Sequence, residues 1–152
     1  ATAFHVMPIA SGMRESDVDE VWASHHLRPL EAVSGSFHGS DEAFTVLSPD
    51  DGNPFAMFGV KRGSAIGGES TIWLLSTDEI ERWKLAFAKR SREYVRMLVG
   101  KYGLLSNRVD VRNKTTIAWL KWLGAEFDTP LIWGAEGLEF QRFTIRREAT
   151  CV

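Results

Sequence analysis

The spacing of apolar residues changes along the chain, and each change marks a predicted element. Residues 70–75 form a short apolar run rich in β-branched and aromatic residues, which is typical of a buried strand. Ser76 follows with Glu79 three residues later, a pattern that begins a helix. An apolar stripe then predicts one long helix that ends near Gly100 and Gly103: Ile80, Trp83, Phe87, Tyr94 and Leu98.

The same reading continues through a second strand and a second helix. Residues 104–111 can return as a strand, and residues 113–123 place Ile117, Leu120 and Leu123 on one helix face. Gly124 ends that helix. A strand, a crossover helix and a neighbouring strand form a βαβ unit, which is expected to be parallel and right-handed.

The first third of the chain gives weaker patterns. Residues 4–9 read as a first strand, followed by a helix that ends near His25 and His26. A shorter helical piece is predicted from Pro29 to Val33, and the small residues at 34–40 predict a flexible loop. Two strands, residues 43–47 and 55–61, are joined by turn-forming residues.

The last third predicts two more strands. Residues 128–132 can form one strand, although Pro130 interrupts it. Residues 138–147 alternate in part, as a half-buried last strand does, and a slip of one residue after Gln141 predicts a β-bulge.

Composition predicts a single domain over residues 1–152. The chain is 44% hydrophobic and 25% charged, with a net charge of −2. Cys151 is the one cysteine, so no disulfide forms within the chain. No apolar run approaches the roughly 20 residues that span a bilayer. We therefore expect a soluble protein that folds inside a cell. Adjacent His25 and His26 cannot both hold one ion from a helix, and no metal site is predicted.

Residues 113–127 carry the most specific resemblance, in the sequence NKTTIAWLKWLGAEF. An Asn that opens the last helix, an apolar face and Leu-Gly before the next strand resemble the GNAT (Gcn5-related N-acetyltransferase) superfamily. Within it, the chain is most similar to the GNAT-like internal virion proteins of short-tailed phages. The resemblance implies one α/β domain of the α+β type. Its sheet is mixed and mostly antiparallel, with a central βαβ unit, flanking helices and a V-shaped opening between two parallel strands.

GNAT enzymes hold the pyrophosphate of acetyl-CoA on a Gly-rich loop before the long helix. Here no glycine occurs from residue 70 to residue 99, and that helix start carries Asp78, Glu79 and Glu81, whose carboxylates repel phosphate. We therefore expect no cofactor. If acetyl-CoA binds after all, the resemblance implies the cofactor residues Leu75, Ser76 and Asn113.

The catalytic groups of the superfamily are also missing. The position of its general-acid Tyr falls at or next to Leu120, flanked by Trp119 and Lys121, and neither Leu nor Trp can give up a proton. Glu69 is the nearest candidate for a general base, and it reads more simply as a loop carboxylate. We predict no catalytic residue.

Basic and aromatic residues remain as candidate partner contacts. The basic residues recur on one side of the long helix, where they form either a solvated face or a contact for an acidic protein or a nucleic-acid backbone. The aromatic pair in the next helix fits either a protein interface or ordinary packing. The six candidates are Arg82, Lys89, Arg92, Arg96, Trp119 and Trp122.

The leading hypothesis from the resemblance is a non-enzymatic phage protein with a structural or assembly role in the virion. It would contact other proteins of an assembly, in the host cytoplasm and then in the virion. The alternative is a divergent acyl-CoA-dependent N-acetyltransferase. A third hypothesis is a host-directed binding protein. A bulge in the central strand near Leu74 and Leu75 would favour the enzyme. A cleft filled by Trp73, Trp83 or Trp119 would favour the structural role.

Overall fold

A computed structural model describes residues 1–147. Within them, five α-helices and seven β-strands form one α/β domain, preceded by a 3₁₀ turn at Ala3–His5. The helices are α1 (Val6–Ser11), α2 (Glu15–His25), α3 (Pro29–Gly39), α4 (Lys84–Tyr102) and α5 (Lys114–Trp122). The strands are β1 (Glu42–Leu47), β2 (Pro54–Lys61), β3 (Glu69–Ser76), β4 (Leu104–Asp110), β5 (Glu126–Phe127), β6 (Leu131–Trp133) and β7 (Leu138–Ile145).

The strands form one mixed sheet in the order β1-β2-β3-β4-β7-β5, and β6 also pairs with β7. The pair β3–β4 is parallel, and the other pairs are antiparallel. Alternate residues of each strand face opposite sides of the sheet. One side packs on α1 and α3 through residues such as Met57 and Leu75. The other packs on α4 and α5 through residues such as Leu98, Leu105 and Leu120.

The two parallel strands separate after a short stretch of pairing. Residues 69–71 of β3 pair with residues 104–106 of β4, and the pairing ends there while both strands continue. Beyond that point the side chain of Asn107 reaches across, with its Nδ2 donating to the carbonyl oxygen of Ile72 at 2.7 Å. The predicted V-shaped opening is therefore present, and it widens toward Ser76.

The prediction of a first strand at residues 4–9 is wrong, because this segment is a turn followed by α1. Val6, Ile9 and Ala10 are buried at helical spacing and pack in the same cluster as Val33. Pro8 is tolerated because it lies in the first helical turn, where an N–H has no helical partner. A six-residue apolar run does not distinguish a strand from a short buried helix.

The loop predicted at residues 34–40 is also wrong, because α3 continues to Gly39. Pro29 opens the helix, and the Glu31 carboxylate accepts a hydrogen bond from the Arg28 amide at 2.8 Å. Burial of Val33 and part of Phe37 against α1 anchors the helix. Tertiary packing thus outweighs the low helix propensity of the glycine and serine residues.

The long helix begins later than predicted. Ser76 ends β3 instead of capping a helix, and Asp78–Glu81 form a separate 3₁₀ turn before α4 begins at Lys84. In α5 the predicted cap is present, since the Asn113 side chain accepts from the amide of Thr116.

The C-terminal strands differ from the prediction in two details. The strand predicted at residues 128–132 is replaced by the short β5 and β6 on either side of Pro130. No bulge follows Gln141, because β7 pairs with β4 in continuous register. The apparent slip arises because Phe140 and Phe143 are buried on opposite faces of the sheet.

Candidate functional site

The opening between β3 and β4 has a space on each side. The outer groove, about 500 Å³, lies between α4 and α5 and includes Ile80, Leu85, Ala88, Lys114, Ala118 and Trp122. The inner cavity, about 520 Å³, lies between the strands and α2, and includes Glu20, Ile72, Trp73, Val109, Trp133 and Phe140. Leu74, Thr116 and Trp119 line both spaces.

A buried ion pair stands where the two spaces approach each other. The Arg14 Nη2 donates to Asp17 Oδ1 at 2.8 Å and to Thr116 Oγ1 at 2.7 Å. Arg14 and Asp17 are only 6% and 3% exposed, so the pair is shielded from water. The Arg14–Thr116 bond joins the segment before α2 to the first turn of α5. We call Arg14, Asp17 and Thr116 the wall.

The wall is held by the end of the central strand. Met13 forms a bridge with Thr77, and the Arg14 amide donates to the Ser76 carbonyl at 3.0 Å. The Asp17 Oδ2 accepts from the Ser76 amide at 3.0 Å and from its hydroxyl at 3.3 Å. The β2–β3 register is continuous, so no bulge interrupts β3 near Leu75. The polar groups of Ser76 are therefore satisfied by the protein itself.

The three predicted cofactor residues all lie near the wall. Leu75 is buried in the cluster formed with α1 and α3. Ser76 is fully buried against Asp17. Asn113 is also buried, and its Nδ2 donates to Glu20 Oε2 at 3.0 Å while its Oδ1 caps α5.

The turn between β3 and α4 uses several of its own amides. The amides of Ile80, Arg82 and Trp83 donate to carbonyl groups within the turn. The carboxylates at this turn are Asp78, Glu79 and Glu81. This is a poor anion site by charge, because its acidic side chains lie where a phosphate would have to approach.

The positions considered for catalysis have structural partners. Leu120 is buried in the main core. Trp119 is partly buried against Phe87, with ring centroids 5.7 Å apart, and its Nε1 donates to Ser91 Oγ at 2.9 Å. Glu69 lies at the paired end of β3, where hydrogen bonds from Arg142 and Ser106 hold its pKa below the usual value. Trp119 therefore fills part of the opening, while Glu69 lies away from it.

Glu20 is a site residue that the sequence analysis missed. Its Oε2 accepts from the Asn113 side chain at 3.0 Å and from the Asp110 amide at 3.2 Å. Burial raises the pKa of Glu20 to about 7; the nearby carboxylates of Asp17 and Asp110 contribute to the rise, which these hydrogen bonds oppose. Asp17 pairs with Arg14 and Asp110 with Arg112, and no cation in residues 1–147 pairs with Glu20. The sequence contains one indication of this cluster: residues 14, 17 and 20 are spaced three apart, which places them on one side of a helix.

The basic candidates have different environments, three on α4 and Arg82 in the turn before it. Arg82 pairs with Asp50, whereas Lys89 and Arg96 are exposed. The Arg92 guanidinium lies 4.9 Å from the ring centre of Trp122, whose Nε1 donates to the carbonyl oxygen of Ala88 at 3.3 Å. Trp122 is 49% exposed at the outer groove. The structure thus brings Arg92 and Trp122 together and places Arg82 with a different partner.

No helix in the described part of the chain is long and apolar enough to span a membrane. The same residues contain no group of three or more His, Cys, Asp and Glu side chains arranged to hold a metal ion.

Solved acetyltransferase structures share this fold. A GNAT-family acetyltransferase from Bacillus anthracis is 9% identical with a TM-score of 0.68, and the alignment covers 96% of this chain and 90% of that protein. A Streptococcus mutans protein, smu.2055, has the same identity and TM-score and is covered to 96% in both chains. A chimera of Vibrio cholerae spermidine N-acetyltransferase SpeG with hSSAT is 12% identical, with a TM-score of 0.56 and coverage of 80% and 76%. These likenesses establish the GNAT-like fold alone.

Sequence comparison gives a narrower assignment. No curated protein sequence matches the chain. A family profile described as "Bacteriophage T7, probable scaffold protein Gp13" matches residues 55–130, which is half of the 152 residues. The matched segment runs from β2 through α5 to β5 and contains most of the outer groove. By this match, the chain is a GNAT-like member of the phage T7 Gp13 scaffold protein family.

Proposed function

We propose that this protein acts without catalysis in the assembly of a phage particle, through contacts with other proteins of that particle. Membership of a phage scaffold family supports the structural role. The GNAT-like fold is compatible with this role because one fold can carry unrelated functions.

The single observation that carries the non-catalytic part is the wall. In acyl transfer the thioester and the acceptor must approach to about 3–3.5 Å. The outer groove and the inner cavity lie on the two sides of the opening. Thr116 lines both spaces, and Arg14, which donates to Thr116 Oγ1, lines the outer groove beside it. Removing this barrier would require moving a buried, paired guanidinium, which is energetically costly.

The expected places of action follow from the assembly role. The protein would meet its partners in the host cytoplasm while particles form and would then enter the virion. Contact with a nucleic-acid backbone is a weaker extension of the proposal, supported by the exposed Lys89 and Arg96 on α4.

Acetyl-CoA binding tests the non-catalytic part directly. We expect thermal unfolding to be unchanged by millimolar acetyl-CoA, and titration calorimetry to show no heat of binding. A ligand at 100 times its dissociation constant would stabilise the fold by about 2.7 kcal/mol. For a domain of this size, that is a shift of several degrees. A clear shift would overturn the proposal and favour the acetyltransferase.

The acetyltransferase remains the second candidate because of Glu20. A carboxyl group with a pKa near 7 that lines a cavity is a common feature of a general base. Acetyl-CoA would be its cofactor. Acetylation of an amine by the purified protein, lost in Glu20→Gln, would establish that function.

The assembly role is tested in the phage itself. An early stop codon in this gene should lower the yield of infectious particles, and the intact gene supplied from a plasmid should restore it. Normal particle yield without the protein would overturn the assembly role, whatever the result with acetyl-CoA.

A further inference from the structure

The outer groove has an apolar surface that is open to solvent. Leu85 on α4 is 76% exposed and Trp122 on α5 is 49% exposed, while Ile80 lies at its base with 6% exposure. The facing segments, residues 80–88 and 114–122, are each about nine residues long. At 1.5 Å per helical residue, the nine residues of α5 along the groove span about 13 Å. The groove has room for about two turns of a helix.

The groove has an acidic end and a basic side: Glu81 lines it next to Lys84, whereas several basic residues farther along α4 and on α5 have no paired carboxylate in residues 1–147. Four of the basic residues of α4 and α5 have no carboxylate of residues 1–147 within 4 Å of their side-chain nitrogens. By contrast, Lys84 and Arg90 each face a glutamate on α4 or the turn before it. These four residues are Lys114, which lines the groove, Arg92, which packs over Trp122, and Lys89 and Lys121, which lie on the same two helices.

One of these cations is already fixed in position. The Arg92 guanidinium packs over Trp122, and Trp122 is tied to α4 through the carbonyl oxygen of Ala88. The side of the groove therefore offers an ordered aromatic ring and a charged group together. Tryptophan and arginine are the side chains enriched among residues that dominate binding at protein interfaces.

We propose that the outer groove binds an acidic segment of another protein of the phage particle, with bulky apolar side chains of that segment inserted between α4 and α5. This inference rests on the assembly role proposed above and adds the binding site and the chemistry of the partner. The apolar surface matches the inserted side chains, and the surrounding cations match the acidic residues.

A nucleic acid fits the groove less well. Single strands bind to a positive channel in which several aromatic rings stack on successive bases. Here Trp122 is the exposed aromatic residue of the groove, and the remaining exposed apolar contact is Leu85, which cannot stack. A protein segment uses both residues, whereas a nucleic acid would use only the ring and the cations.

Synthetic peptides test the site. Fifteen-residue peptides that cover the structural proteins of the phage would be screened for binding to the intact protein by fluorescence polarisation. We expect the bound peptides to be acidic and to contain at least two bulky apolar residues. Trp122→Ala and Leu85→Ser should each weaken binding about tenfold or more. Lys89→Glu should also weaken binding relative to the wild-type protein, and this loss should grow as the salt concentration falls.

One control makes the same change in net charge elsewhere on the protein, and another checks that each variant still folds. Arg28→Glu makes the same charge change on the opposite face of the sheet, at the start of α3, and should leave binding unchanged. Thermal unfolding of each variant would show that the fold is retained. Binding by basic peptides, no binding peptide, or equal binding by the groove variants would overturn the inference. So would binding of a single-stranded oligonucleotide in place of peptides, or a dimer that Trp122→Ala dissociates.

Complementation separates this inference from the assembly role. If the stop codon lowers particle yield and the Trp122→Ala gene fails to restore it, both are supported. If the Trp122→Ala gene restores full yield, the groove inference fails while the assembly role stands. If the stop codon has no effect, the assembly role itself fails.

Discussion

The outer groove and the inner cavity have similar volumes and are both lined largely by apolar side chains, but they differ in their charged groups. The outer groove is apolar and open, and Lys114 in its lining and Arg92 against its Trp122 have no salt-bridge partner among residues 1–147. The inner cavity contains Glu20, a carboxyl group without a paired cation in the same part of the chain. Acyl transfer across the opening would require these two sides of the sheet to act together, because the thioester and the acceptor must approach to about 3–3.5 Å.

Whether the two sides can act together depends on the side chains at the boundary between the outer groove and the inner cavity. Arg14 and Asp17 come from the chain that precedes α2, yet they bond to β3 and α5. The same fold can therefore present two independent surfaces once a buried ion pair joins its central strand to its last helix. Each surface can then be changed separately, and the variants below test whether the two spaces are in fact independent.

Loss of the wall should have the largest effect on stability. Asp17→Ala leaves the Arg14 guanidinium buried without a carboxylate and removes the acceptor of the Ser76 amide. Breaking a buried pair by removing one partner costs about 3–5 kcal/mol. We expect the midpoint of thermal unfolding to fall by about 6–20 °C, measured by calorimetry. The exposed Asp19 on the same helix supplies the control Asp19→Ala, which should change stability by less than about 0.5 kcal/mol.

A double variant removes the ion pair without leaving an unpaired charge. In Arg14→Met with Asp17→Asn, the Asn oxygen can still accept from the Ser76 amide, so the loss of stability should be smaller than in Asp17→Ala. The bond to Thr116 is absent in this variant. Equal stability of Asp17→Ala and the wild-type protein would show that the buried ion pair contributes nothing to stability.

Glu20 in the inner cavity should make the stability of the protein depend on pH. The pKa of Glu20 in the native state is about 7, above the ordinary value of 4.5. Between these values the native protein keeps a proton that the unfolded chain has released, so this group lowers stability as pH rises. Glu20→Gln carries no charge and keeps the acceptor oxygen. Above pH 7 the variant should be more stable than the wild type by up to about 3 kcal/mol, at 1.36 kcal/mol per pKa unit.

Urea unfolding at pH 5 and at pH 8.5 measures this effect. The advantage of Glu20→Gln should be small at pH 5 and large at pH 8.5, whereas Glu15→Gln at an exposed position of α2 should show no such difference. An advantage that does not change with pH would mean that the carboxyl group titrates normally and that the inner cavity does not exclude water.

The sequence predicted the second half of the chain better than the first. The strands predicted at residues 70–75 and 104–111 are present as β3 (Glu69–Ser76) and β4 (Leu104–Asp110), with an amphipathic helix between them. Local periodicity is strong there because each element is buried on a defined face. Residues 4–9 and 34–40 were predicted wrongly, because packing of α1 against α3 determines their conformation. Packing of this kind is not visible in a short window of sequence.

The candidate site shows the same limit. Absence of a glycine loop was readable directly from the sequence, and so was the position of Leu120 in place of a catalytic Tyr. The wall could not be predicted from the sequence, because Arg14 and Thr116 are 102 residues apart and come into contact only in the folded structure. Glu20 was missed for the same reason, because its environment is set by Asn113 and Asp110 from another part of the chain.

The two tryptophans of α5 give the smallest and most specific test. Trp119→Phe removes the hydrogen bond to Ser91, which is buried, and should cost about 1–2 kcal/mol in urea unfolding at neutral pH. Trp122→Phe changes a half-exposed ring and should cost less than about 0.5 kcal/mol. Partner binding should show the reverse order, because Trp122 faces the open groove while Trp119 fills the boundary. If Trp119→Phe impairs binding more than Trp122→Phe does, the partner must reach the opening itself, and the two spaces would then form one continuous site.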